Sequence, residues 1–109
     1  MAQPTNETAL LDLLKDMTAS SLDATNLDEQ TLMLVRIAAL VAVDAPPVSY
    51  AMNLEAAGEV GVDAEQVRGV LAAIAPIVGT TRVVSATSSI AGALALEVEL
   101  AELENQGEQ

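Results

Sequence analysis

Cysteine and histidine are both absent from the 109 residues. The first absence excludes a disulfide scaffold and a thiol or dithiol redox centre. The two together exclude a Cys/His zinc site, a Ser-His-Asp triad and haem ligation through imidazole. Aromatic residues are nearly absent too: Tyr50 stands alone, with no Phe and no Trp. The core must therefore come from Ala, Val, Leu, Ile and Met. Small side chains fill little volume each, so the elements that carry them must approach closely, which helices do more readily than sheets. Cations are scarce. Lys15, Arg36, Arg68 and Arg82 face 16 acidic residues, for a net charge of −12. Four cations cannot lay a basic track along a phosphate backbone, so no nucleic-acid partner is expected. Adhesion to an anionic membrane surface is disfavoured for the same reason.

Apolar residues are what the chain has in plenty. They make up 51% of it, against 18% charged, and the mean hydropathy is +0.40. That is ample surface to repay chain ordering, so intrinsic disorder is excluded. The length suits one domain over 1–109, with flexible ends expected at 1–8 and 105–109. Such hydropathy is high for a small soluble monomer, and it implies apolar surface buried against other subunits. Between residues 69 and 96 Arg82 is the only charge. Each half of that stretch is shorter than the roughly 20 residues a spanning helix needs, so no membrane span is expected. The first fifteen residues are polar and acidic and do not resemble an export signal, which makes the cytoplasm the expected location.

The periodicity reads as helices throughout. Leu10, Leu11, Leu13, Leu14 and Met17 predict a first helix over 7–18, followed by a loop from Ser20 to Asn26. Asn26, with Glu29 three residues later, forms a capping-box pattern for a second helix reaching Val43. From Leu32 that helix is apolar nearly all round, which predicts burial on every face. Asp44 is a candidate cap for a third helix, with Pro46 and Pro47 in its first turn and an end at Gly61. Asp63 and Gln66 form a second capping-box pattern, with Val62 placed to staple onto Val67. The fourth helix reaches Val78, with Pro76 near its end and Gly79 as a C-cap candidate. A final helix over 82–103 is rich in Ser, Ala and Gly, then acidic. Nothing reads as a strand. The expectation is one all-α bundle of five or six helices, with Met17, Met33 and Met52 as core fillers.

A buried Ala/Val/Leu helix, a helix ending Glu55-Ala56-Ala57-Gly58-Glu59-Val60-Gly61-Val62, the start Asp63-Ala64-Glu65-Gln66-Val67, an Ala-rich helix and Gly79-Thr80-Thr81-Arg82 follow one another in order. This succession resembles the carboxymuconolactone decarboxylase family, which includes the AhpD-type alkylhydroperoxidases. The resemblance implies an AhpD-like helical bundle that assembles into a homo-oligomer, a trimer or hexamer, with sites near subunit boundaries. Redox-active members carry CxxCxxxH at the start of the helix that ends in the family glycine. With Gly61 matched to that glycine, the two thiol positions fall on Pro46 and Ser49, the His position on Asn53, and the acid of the preceding helix on Leu34. All four are replaced, so the dithiol peroxidase chemistry does not carry over. Decarboxylation in the family needs no thiols, but its substrate is a multiply charged carboxylate. A chain of net charge −12 with three arginines would repel it.

The remaining candidates are ligand-binding or catalytic readings of Ser49, Tyr50, Asn53, Arg36 and Arg82. Tyr50 could act as a general acid, although a phenol with a pKa of about 10 is a poor base. The plainer reading makes it the one large side chain filling a vacated site, its hydroxyl on a backbone carbonyl. Arg36 could grip a carboxylate as a bidentate fork; alternatively it pairs with Glu55 or Glu59. Arg82 suits a salt bridge across subunits. Glu97, Glu99, Glu102 and Glu104 lack metal-loop spacing and read as a solvated helix end. No cofactor and no metal is expected. Three functions fit: a non-redox member that is structural or binds a small, mostly apolar ligand between the second and third helices; a cofactor-free lyase, isomerase or hydrolase acting on a small organic acid or lactone through Tyr50, Asn53 and Arg36; or a scaffolding partner of a catalytic paralogue.

Overall fold

The computed structural model describes residues 6–107, with side chains from 7 to 94. Five helices follow in order: α1 Asn6–Ala24, α2 Glu29–Ala42, α3 Pro47–Glu59, α4 Ala64–Val78 and α5 Thr80–Gly107. The described residues contain no strand, so the all-α expectation holds. No helix among them is long and apolar enough to cross a membrane. Residues 6–8 begin α1 instead of lying in a loose start. Residues 1–5 and 108–109 of the expected flexible ends lie outside the described residues.

Several boundaries move, each for a local reason. α1 does not stop near residue 18, because Ser20 to Ala24 includes no Gly or Pro to break it. The cap of α2 is Asp28, not Asn26. Its carboxylate accepts both the Thr31 N–H and the Thr31 hydroxyl at 2.9 Å, a pair of bonds that Asn26 has no partner to match. These bonds hold the Asp28 carboxyl below its ordinary value of 3.8, the Thr31 backbone N–H being the larger cause. A depressed carboxyl stabilises the fold while ionised, at pH above about 4, and that help fades as pH falls through the folded-state value. Asp28→Asn keeps an acceptor at the cap but removes the titration. Its urea midpoint should therefore vary less with pH below 4 than the wild-type midpoint does.

Asp44 does not cap α3. It adopts a left-handed φ of 54°, which Asp tolerates, and this lets the Ala45 N–H reach back to Leu40 O at 3.0 Å and close the end of α2. Pro46 takes the N-cap position with no side-chain bond. The Asp44 carboxylate is free to accept the Ser85 hydroxyl at 2.6 Å, tying this turn to α5.

The α3–α4 turn follows the sequence closely. Val62 N–H donates to Ala57 O at 3.0 Å, a bond that requires Gly61 at φ 91°. A Cβ on Gly61 would stand 2.9 Å from Gln30 Nε2, which itself donates to Val60 O at 2.9 Å. The start of α2 and the end of α3 are thereby locked together. Asp63 and Gln66 form the full reciprocal box: Gln66 N–H donates to the Asp63 carboxylate at 2.8 Å, and Asp63 N–H to Gln66 Oε1 at 3.0 Å. Asp63→Ala should cost about 0.5–2 kcal/mol in urea unfolding, the usual toll of a lost N-cap. α4 carries Pro76 in its last turn and closes on Gly79 at φ 89°. That single residue is the whole connection to α5.

α2 packs against α3, α4 and α5, and α5 also packs against α3 and α4. Met33, Ile37 and Val41 put one stripe of α2 inward at a spacing of four. The opposite face is open, with Val35 at 51% exposure, so the expectation of burial all round fails. Two apolar clusters form the core. Val41, Ala45, Tyr50, Ala86 and Ala93 make one; Met33, Ile37, Ala57 and Val67 make the other; Leu54 and Ile90 pack against both. Val62 packs on the second cluster beside Val67, where the staple was expected. Ala86 and Ala93, seven residues apart, present almost no side chain and let α5 lie close over α3. Of the three methionines expected in the core, only Met33 is there; Met17 and Met52 are exposed. Among the described residues the backbone of α1 comes close to no other helix, and its link to the bundle is the side-chain bond between Ser21 and Arg36 of α2.

Candidate functional site

The first two turns of α3 carry Ser49, Tyr50 and Asn53, at the positions where the family resemblance puts its chemistry. Tyr50 is 1% exposed and belongs to the cluster of Val41, Ala45, Ala86 and Ala93. Its hydroxyl finds no hydrogen-bond partner in the protein, where a backbone carbonyl was expected. The cluster in which the ring packs is made of apolar residues only. Burial pushes the Tyr50 pKa above its ordinary value of 10.0, and the negative charge of Asp44 adds to the rise. A phenol so placed is a weaker acid than usual and has no access to solvent through which to exchange a proton.

Asn53 is half-buried and donates from Nδ2 to Ser49 O at 2.8 Å, a bond within its own helix. Ser49 is half-buried one turn earlier. Arg36 reaches the other way. Its Nη2 donates to the Ser21 hydroxyl of α1 at 3.2 Å, and among the described residues it pairs with neither Glu55 nor Glu59. Glu55 and Glu59 are both exposed on α3. Arg82 is exposed in the first turn of α5. Ser49, Tyr50 and Asn53 thus share one helix end, while Arg36 and Arg82 are not brought into a common cavity with them. The acidic end of α5, from Glu97 to Glu104, lies beyond the residues whose side chains are described; among the described residues no cluster suits a metal.

A cavity exists elsewhere. A half-open groove of about 320 Å³ runs between α3, α4 and α5, walled by Leu54, Ala57, Val67, Leu71 and Ile90, with Arg68 at its edge. It does not lie between α2 and α3, where a ligand was expected: no α2 residue lines it, and none of the five candidate residues does. Its polar groups are mostly committed. The Asp63 carboxylate serves the α4 cap, and the Thr87 hydroxyl donates to Val83 O at 3.0 Å. Arg68 is exposed and has no partner among the described residues. The pairs Leu54/Ala57 and Val67/Leu71 have helical spacing in the sequence, but nothing local says that the two helices leave a gap.

The profile of the carboxymuconolactone decarboxylase family matches residues 7–91 of the chain. The chain therefore belongs to the carboxymuconolactone decarboxylase family, which agrees with the all-α bundle and the order of its motifs. No curated protein and no solved structure matches it significantly.

Proposed function

We propose that this family member works without dithiol chemistry, as a cytoplasmic structural subunit that assembles with copies of itself. One observation carries the reading: the side chain of Tyr50 occupies the start of α3 as a fully buried core residue. Where redox relatives would need accessible thiols, this chain has Pro46 as a helix cap and Ser49 and Asn53 joined through their own helix. Its large exposed apolar residues, including Val43, Met52 and Ile77, supply the surface for self-association. A second reading, binding of a small apolar ligand, draws on the α3/α4/α5 groove. Of the polar side chains that line it, Asp63 and Thr87 are already bonded, and only the exposed Arg68 is left to orient such a ligand.

Two measurements test the proposal. Light scattering on the purified chain should give a mass of at least two subunits at micromolar concentration. Hydroperoxide consumption with a dithiol reductant should not exceed the protein-free rate. A well-behaved monomer, or turnover of hydroperoxide, would overturn the reading.

A further inference from the structure

We propose that two copies of this chain exchange their α1 helices, each α1 seated in the corner between α1 and α2 of the other copy. The inference rests on the self-assembly reading and specifies its contact. α1 has the surface for such a seat. Leu10, Leu11, Leu13, Leu14, Met17 and Leu22 are each between 48% and 59% exposed. At 3.6 residues per turn they fall in one arc covering about half the circumference, from Leu13 round to Leu22. Glu7 is the one charge within that arc, while Asp12, Lys15, Asp16 and Asp23 occupy the other half. A helix packed on a single neighbour buries a stripe of about 100°. Half a circumference calls for two neighbouring helices at once, and among the described residues no helix backbone of its own chain comes close to α1.

The corner supplies two. Ser21 follows Met17 by four residues and Leu14 by seven, so it shares their side of α1, and its hydroxyl accepts from Arg36 Nη2. That bond turns the apolar side of α1 toward α2. On α2, Leu32, Arg36, Ala39 and Val43 follow one another at the same helical spacing. Leu32 is 9% exposed near the closed end of the corner, and Val43 is 71% exposed at the open end. Arg36 is the one charge on the α2 side.

Area, charge and symmetry select a second copy as the occupant. Six half-exposed side chains of about 100 Å² each, with Ala39 and Val43, give a two-fold pair on the order of 1,400 Å² in total, inside the range of about 1,200–2,000 Å² for specific interfaces. In an antiparallel pairing along the full length of α1, Leu10 of one copy lies across from Ser21 of the other, and Glu7 falls at the Arg36 end. Arg36 bonds a hydroxyl in its own chain; the incoming carboxylate gives it an ion pair. The acids on the other half of α1 stay in water, so no unmatched charge is buried. The contact is isologous: each copy gives one helix and receives one, and both arcs are covered together.

The absence of native cysteine makes the first test free of background. Full-length Leu10→Cys chain is mixed with full-length Ser21→Cys chain and oxidised mildly. The expected product is a disulfide dimer containing one of each. Dimers of either variant with itself, in place of the mixed product, would mean a parallel pairing and overturn the seat. No disulfide dimer at all, from a wild type that does assemble, would sink this contact and leave the self-assembly reading standing. A monomeric wild type would sink that reading itself.

A charge reversal tests the ion pair. Arg36→Glu should weaken self-association about tenfold, read by sedimentation over a concentration series. Adding Glu7→Lys to the same chain should recover most of that loss. Residues 7 and 21 stand about 21 Å apart along α1, so Glu7→Lys cannot replace the Ser21 bond within one chain. Absence of recovery would assign the effect to that bond and overturn the pairing. Full-length Leu14→Glu guards against misfolding: it should fall to the monomer mass while the α2–α5 bundle still unfolds cooperatively, and an unchanged mass would count against the exchange.

Discussion

Tyr50→Phe is expected to make the protein more stable, and Tyr50→Ala to bring it close to unfolding. The ring fills the space among Val41, Ala45, Ala86 and Ala93, none of which is large. Truncation to alanine leaves a cavity that these short side chains cannot close, at a cost of about 3–5 kcal/mol. That is a large share of the 5–15 kcal/mol that holds an ordinary domain together. The hydroxyl contributes with the opposite sign. It is buried without a partner, which costs about 1–3 kcal/mol, so phenylalanine keeps the volume and removes the penalty. Urea unfolding followed by far-ultraviolet dichroism should place the three proteins in the order Phe above Tyr above Ala. A Phe variant weaker than wild type would mean that the hydroxyl is satisfied after all. The pH dependence separates them further. Because the folded-state pKa of Tyr50 is raised, its contribution is fully present below about pH 10 and is lost as pH climbs through the folded value. The Phe variant should lack that alkaline loss.

The second large effect is expected at Ile37, which is fully buried in the middle of α2 and packs in the cluster of Met33, Ala57 and Val67. α2 is the helix against which α3, α4 and α5 all pack, so a void at its centre is felt by three interfaces. Ile37→Ala should cost about 2–5 kcal/mol and Ile37→Val about 0.5–1.5 kcal/mol, the gradation expected when the loss follows the volume removed. Equal and small losses in the two variants, measured by urea unfolding, would mean that the core around Ile37 relaxes and that α2 is not the centre of the bundle.

What could be read in the sequence was what is decided locally. The Asp63/Gln66 box and the Gly79 cap each depend on residues within four positions of one another, and both stand as expected. The start of α2 is equally local but was misplaced by two residues, because Asn26 and Asp28 are both good caps and only the Thr31 hydroxyl separates them. Asp44 shows a different limit. Its side chain suits a cap, yet the end of α2 needed a left-handed residue at that position, and Ser85 from α5 supplied a partner 41 residues away. The exposed outer face of α2 was hidden for a related reason: an apolar run says that a helix prefers to be covered, not whether its own chain does the covering.

The site divides along the same line. That the start of α3 lacks thiols and imidazole was plain from residue types alone. Tyr50 as a filler was legible from its being the one large ring in a chain of small side chains. The missing bond to its hydroxyl was not, since it depends on how residues distant in the chain pack around the ring. The partner of Arg36 was sought on α3 and found on α1, because the spacing of α2 and α3 does not reveal the angle at which α1 leaves. The groove required three helices, and no pairwise spacing announces a gap among three.

A single ring in the whole chain, set at the centre of the bundle, also gives the protein its own optical probe. Near-ultraviolet dichroism and phenol emission come from Tyr50 and nothing else. Loosening of the packing around that ring would therefore be visible without any label, while a helix peeling away from the periphery would leave the signal untouched.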